Sequence, residues 1–177
     1  MKHNHGLIIL WIVFITSILA LSGCTGQKQM ASARIDKDGT EMLYGKISRD
    51  QLFFDFPEWR NEYDNYSPEE NVINELKKAD IYDEIFLFLG TWCQDSQREV
   101  PRLFKILDQI GTGAEEKIKI WAVDRAKKLA DDSTDMYDIN FVPTIIFFKN
   151  GREIGRIVEN PEQRLEDDIL NILSNDK

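Results

Sequence analysis

The chain has 177 residues, 42% hydrophobic and 11% aromatic, and carries a net charge of −9. That apolar content is enough for one packed core and excludes wholesale disorder. The acidic balance argues against a nucleic-acid partner and against a polybasic contact with a membrane.

The first element is an apolar run from Leu7 to Leu21, "LIILWIVFITSILAL", preceded by Lys2 and followed by Ser22, Gly23 and Cys24. It is shorter than the about 20 residues a spanning helix needs, and it has the anatomy of a secretory signal peptide over residues 1–23. The end of that segment, "LSGC", resembles the lipobox of bacterial lipoproteins. The resemblance implies acylation of Cys24, which would hold a soluble domain to a bilayer without spanning it. Residues 24–40, "CTGQKQMASARIDKDGT", have no apolar period and read as a flexible polar tether. Residues 41–177 form the folded domain.

Met42 to Ile47 is predicted as a short strand. Ser48 then caps a helix carrying Leu52, Phe53, Phe56 and Trp59 inward, with Pro57 limiting its length. In "SPEENVINELKKA", Ser67 is placed as an N-cap, Pro68 at the first helical position, and Glu70 as the partner in a capping box. "IFLFL", Ile85 to Leu89, is a continuous apolar run of strand length and so is expected to be buried on both faces. Gln94 to Ile110 has helical period, with Gly111 as its stop. Ile118 to Val123 is another buried strand. Thr144–Phe148 and Glu153–Val158 flank "KNG" and read as a hairpin with an Asn-Gly turn. Leu165, Ile169 and Ile172 mark a closing amphipathic helix. Alternating elements followed by a hairpin predict an α/β fold with a mixed sheet between helices.

Between the second predicted strand and its helix lies "GTWCQDSQREVP", Gly90 to Pro101. The chain has two cysteines and two histidines; the histidines are His3 and His5. Once Cys24 is acylated, Cys93 is the one free thiol, and beyond residue 23 there is no imidazole. A Cys–His dyad, a Ser–His–Asp triad and a His-ligated zinc site are thereby excluded, and no metal or cofactor is expected. A thiol at a helix N-terminus is favoured as the thiolate by unpaired backbone N–H groups and the macrodipole. The Ser96 hydroxyl, one turn on, is a candidate donor to that sulfur. Asp95 opposes the anion and Arg98 offsets Asp95.

Four spaced features make the chain similar to the thioredoxin family over roughly residues 42–173. They are Trp92–Cys93 at a strand end, Pro101 eight residues after the cysteine, "YDINFVPTIIFFKNGREIG" from Tyr137 to Gly155, and the element order itself. The resemblance implies a thioredoxin fold, with three parallel strands and an antiparallel C-terminal hairpin flanked by helices on both faces. It also implies a cis Val142–Pro143 bond beside Cys93. Ser96 stands where the family carries a second cysteine, and Leu87 where many members bury an aspartate.

The expected function is thiol–disulfide exchange in the cell envelope by one nucleophilic cysteine, as a monothiol reductase or isomerase of mixed disulfides. Cys93 and Ser96 are the catalytic candidates. Trp92, Gln94, Asp95, Val142, Pro143 and Thr144 form the substrate-binding surface. Partners are cysteine-containing envelope proteins or small thiols, with an external reductant, because no internal thiol can resolve the adduct. Thr25, in place of the aspartate that keeps many lipoproteins in the inner membrane, favours the outer membrane, with the domain facing the periplasm. The competing expectation is a non-catalytic lipoprotein whose groove captures an extended partner segment.

Overall fold

The computed structural model describes residues 32–35, 39–79, 83–111 and 113–175. The predicted signal peptide, Cys24 and most of the predicted tether lie outside them. Ser32–Ile35, inside the stretch read as tether, instead form strand β1 and pair antiparallel with β2, Glu41–Ile47. The strand was missed because four residues give too little alternation to register as a period.

Three short helices follow β2: α1 (Arg49–Asp55), α2 (Trp59–Asn65) and α3 (Glu70–Leu76). Ser48 caps α1 as expected, its hydroxyl accepting from Gln51 N–H at 3.1 Å. The predicted single helix through Trp59 is two helices, because Pro57 lies between α1 and α2. The capping box is also corrected. Helix α3 starts at Glu70, and its N-cap Glu69 makes no side-chain cap bond. The Glu69 N–H instead donates to the buried carboxylate of Glu166, 2.9 Å away. Tertiary contact supplies the acceptor that Ser67 was expected to supply.

The rest of the order is β3 (Glu84–Leu89), α4 (Gln94–Ile110), a helical turn (Ala114–Lys117), β4 (Ile118–Ala122), α5 (Ser133–Met136), β5 (Thr144–Lys149), β6 (Arg152–Val158) and α6 (Leu165–Asn175). The strands lie in the order β1-β2-β4-β3-β5-β6. This is a thioredoxin fold with one difference from expectation. Among the described strands only β3 and β4 pair in parallel, while β2 is antiparallel to β4, with Gly45 opposite Ala122 and Ile47 opposite Ile120. Two parallel strands therefore replace the predicted three. A single crossover helix returns the chain to the same end of a sheet and makes neighbours parallel. Here the connection from β2 to β3 is broken by Pro57 and Pro68 into three helices, which removes that constraint.

The C-terminal hairpin forms as predicted. Asn150 and Gly151 both adopt positive φ, 52° and 73°, the backbone that a two-residue Asn-Gly turn requires.

Alternation along β3 separates two cores. Ile85, Leu87 and Leu89 pack with α1, α3, α4 and α6 residues, including Leu52, Leu76, Leu103 and Ile169. Phe86 and Phe88 point the other way, into a cluster with Val123, Leu129, Ile139, Val142 and Ile146. Helices α1 to α4 and α6 cover the first face. The second lies under the segment between β4 and β5, whose one described helix, α5, is a single turn. Cys93 and Trp92 pack against this second cluster.

Candidate active site

The turn between β3 and α4 is fixed by four backbone and side-chain bonds. Thr91, 2% exposed, accepts from Leu43 N–H at 3.1 Å and so ties the turn to β2. Cys93 N–H donates to Gly90 O at 2.9 Å. The Gln97 side chain donates to Thr91 O at 3.0 Å. Gly90 N–H donates to Ser96 Oγ at 3.2 Å. Gly90 itself is required by a close approach. A Cβ there would stand 2.6 Å from Cε2 of Trp92, whose indole lies across it. The indole N–H donates to Val123 O at 3.1 Å, and the Arg125 guanidinium stands 5.4 Å from the ring centroid.

Cys93 is the N-cap of α4, with extended backbone and its carbonyl accepting from Gln97 N–H at 3.0 Å. It is a free thiol, half-buried. Its sulfur lies 3.2 Å from the carbonyl oxygen of Val142, to which the thiol donates. The Val142–Pro143 bond is cis. The two segments that the sequence placed far apart thus meet at the sulfur, as the resemblance implied.

The remaining predicted site residues divide. Trp92 and Asp95 are half-buried beside the thiol and Gln94 is exposed. Asp95 is engaged by Arg98, Nη2 to Oδ1 at 2.7 Å. Ser96 is fully buried, and the bond it makes is to Gly90, so it holds the turn. The contact shown for its hydroxyl is this one, as an acceptor for the backbone, which leaves the O–H proton uncommitted. Val142 and Thr144 are each 2% exposed, so neither side chain contributes surface. The Thr144 hydroxyl donates to Phe141 O at 2.8 Å and braces the loop from within. Leu87 is fully buried in the core cluster it shares with α4 residues. Pro101 lies inside α4 and leaves the Gln97 carbonyl without its helical donor, as expected of a kinking proline.

Phe141, Glu159 and Asn160 were not singled out by sequence reasoning, and Arg98 was read only against Asp95. Phe141, the residue before Val142, is 51% exposed at the rim. Glu159 N–H donates to Pro143 O at 2.7 Å. The Arg98 guanidinium binds Asp95, Glu99 and Asn160 together. Hydrogen bonding to Glu99 first, then to Asp95, holds Arg98 above its ordinary pKa against the opposing effect of burial. The "ENP" at residues 159–161 is a turn signal that could have drawn attention to this segment. Nothing local to either sequence pairs it with Arg98.

The thioredoxin family model matches residues 68–171 of the chain. The chain is 27% identical over 96 residues to thioredoxin-2 of Saccharomyces cerevisiae, covering 49% of this chain and 86% of that protein. It is 31% identical over 70 residues to a thioredoxin-like protein of Synechocystis, covering 40% of this chain and 61% of that one. Among solved structures, mitochondrial thioredoxin 3 of Saccharomyces cerevisiae in its oxidized form is similar with a TM-score of 0.37 at 19% identity, covering 64% of this chain and 98% of that one. A thioredoxin domain with a free cysteine at its strand-to-helix turn points to thiol–disulfide redox function. The chain belongs to the thioredoxin family.

Proposed function

We propose that the protein carries out thiol–disulfide exchange with Cys93 as its single nucleophile, in the cell envelope, on a lipid anchor at Cys24. One observation carries the mechanism: the Cys93 sulfur sits at the head of α4, half-buried, 3.2 Å from the backbone of Val142. An extended client strand laid along the Val142–Pro143 backbone brings its own sulfur over that of Cys93.

The chemistry balances without a cofactor. The Cys93 thiol loses its proton to solvent, and the thiolate attacks one sulfur of a client disulfide. A new S–S bond forms, the old one breaks, and the departing sulfur leaves as a thiolate that takes up a proton. The number of disulfides is unchanged. The adduct has no internal resolving thiol, because Ser96 stands one turn away. A second thiol of the client therefore attacks the client sulfur of the adduct and expels the Cys93 thiolate. Alternatively, a thiol from a small reductant or partner protein attacks the Cys93 sulfur and releases the client as a free thiol. A second such thiol then attacks the sulfur of the first, which frees Cys93 and leaves an external disulfide. The first route isomerises the client and the second reduces it. Clients are cysteine-containing envelope proteins or small-thiol adducts, and the domain faces the periplasm.

The test uses the full chain carrying Cys24→Ser, so that Cys93 is its one thiol. A glutathionylated peptide should give a covalent adduct visible by mass, reversed by free glutathione and absent when Cys93→Ser is added. A chain that binds the peptide equally with and without Cys93, and never forms the adduct, would be a capture module instead. Labelled fatty acid should enter the envelope-expressed chain and be lost in Cys24→Ser; retention of the label would remove the anchor from the proposal.

A further inference from the structure

The cis-proline loop meets α4 at the sulfur, and a second connection closes a ring around that contact. Glu159 N–H donates to Pro143 O at 2.7 Å. Glu159 is a non-glycine residue at φ 58°, a conformation that persists only where its surroundings hold it. The next residue, Asn160, is exposed, yet its side-chain oxygen accepts from Arg98 Nη2. Arg98 belongs to the first turns of α4, five residues after Cys93. Its own position is fixed by Asp95 at 2.7 Å and by Glu99 at 2.6 Å. Glu99 is 2% exposed, which makes the anchor rigid.

We propose that Arg98 is a positioning residue that latches the turn after β6 to the helix carrying Cys93, through Asn160, and thereby holds the cis-proline loop at its working distance from the sulfur. This rests on the thiol-exchange reading and deepens it. The same guanidinium neutralises Asp95, the carboxylate nearest in sequence to the thiol. Arg98 does not touch the reacting sulfur. It acts through Asn160, Glu159 and the backbone of Pro143. Without the latch, Glu159 has less reason to keep its left-handed backbone, and the loop that receives an extended client is free to move away from Cys93. A small disulfide needs no such loop. The latch therefore discriminates between clients that are extended chains and disulfides that are merely small.

The experiment uses the full chain with Cys24→Ser. Asn160→Ala is the main variant, because Arg98→Ala also strips a partner from buried Glu99, whose Oε2 has no hydrogen-bond partner among the described residues, and that variant is the one at risk of misfolding. Rates of mixed-disulfide formation are compared for dipyridyl disulfide and for a glutathionylated peptide. Asn160→Ala should slow the peptide about tenfold and the small disulfide less than about twofold. Adding Arg98→Lys to Asn160→Ala should slow the peptide little further, since the shared contact is already gone. Equal slowing of both disulfides, or no slowing of either, would overturn the latch. A wild-type thiol inert to both disulfides would sink the exchange reading alone. The latch is then read from amide hydrogen exchange at Glu159, which should speed up about tenfold in Asn160→Ala; an unchanged rate overturns it.

Discussion

The two faces of the sheet are built by different means. One lies under regular helices and combines the aliphatic residues Leu43, Leu87, Leu103, Leu107 and Ile169 with the rings of Phe53, Trp59, Phe104 and Phe147. The other is aromatic and lies under irregular chain. Phe88 stacks on Trp121 at 5.0 Å and 11° between planes, while Phe86 meets Trp121, Tyr137 and Phe148 edge-on or tilted at 4.7–5.2 Å. Large rings fill space that a single-turn helix leaves open, and each adds an orientation-dependent term beyond its buried area. The redox turn rests on the aromatic face. Under the proposed exchange a client must reach the thiol where helical cover stops, and Trp92 and Cys93 pack against this second cluster.

The comparison is broken most severely by deleting one side chain from each face. Leu87→Ala should cost about 2–5 kcal/mol and Phe88→Ala about 3–5 kcal/mol in urea denaturation, since both are fully buried. Their effects on chemistry should part. Phe88 shares a cluster with Trp92 and Cys93, so its loss should slow peptide mixed-disulfide formation several-fold. Leu87→Ala should lower stability while leaving that rate within about twofold when both are measured well below their midpoints. If the two variants slow the peptide equally, the separation of faces has no functional meaning.

A finer version adds an atom instead of removing several. A Cβ at Gly90 would approach the Trp92 ring to 2.6 Å, and one at Gly155 would approach Ile172 of α6 to 2.8 Å. Gly90→Ala and Gly155→Ala should each cost about 1–3 kcal/mol, the range for an added methyl in a packed site. Gly90→Ala should also displace the indole from Val123 O and reduce the peptide rate more than the small-disulfide rate. Gly155→Ala should do neither, because Ile172 belongs to the helical face. Peptide and small-disulfide rates on both variants decide it.

The same division explains what the sequence disclosed. Helix α4 was legible end to end, because its apolar stripe and Gly111 are local signals; Pro101 inside it was placed by the resemblance. β3 was legible as buried on both faces, since five consecutive apolar residues leave no polar side. The meeting of Cys93 with Val142 was not legible from period or spacing; it followed only from the resemblance. The direction of β2 was mispredicted, because nothing in residues 42–47 records which way the chain returns after three helices. Ser96 was assigned to the sulfur on proximity in the chain, and the bond its oxygen accepts from the Gly90 N–H, six positions back, left no local signal. Arg98 was read against its neighbour Asp95, yet its partner Asn160 is 62 positions away. Side chains that act across the fold leave no local pattern, whereas those that act along a helix do.

The smallest expected effect lies on the helical face, at the far end of α4 from the thiol. Arg49 binds Asp108 through two parallel bonds, 2.8 and 2.6 Å, and the Tyr63 hydroxyl donates to the same carboxylate at 2.5 Å. These contacts pin α1 and α2, which lie outside the family match, to the helix that carries the cysteine. Burial alone would raise the Asp108 pKa, but the bonds from Arg49 and Tyr63 outweigh it and hold the carboxyl below its ordinary value. A depressed carboxyl contributes stability above its unfolded pKa and loses it as pH falls through the folded one. Tyr63 is shifted upward, first by its bond to Asp108 and then by burial. Its contribution is complete below the ordinary tyrosine range and is lost as pH rises through the folded value. Asp108→Asn should therefore flatten the stability curve at both the acid and the alkaline end. Because the Asp108 side chain is 31% exposed, the loss at neutral pH should stay below about 1 kcal/mol. Urea midpoints taken from pH 3 to pH 11 measure both limbs at once. A variant whose curve keeps the wild-type slope at either end would show that the pin does not carry the pH dependence. Peptide mixed-disulfide formation should be indifferent to it, since nothing in this cluster reaches the aromatic face.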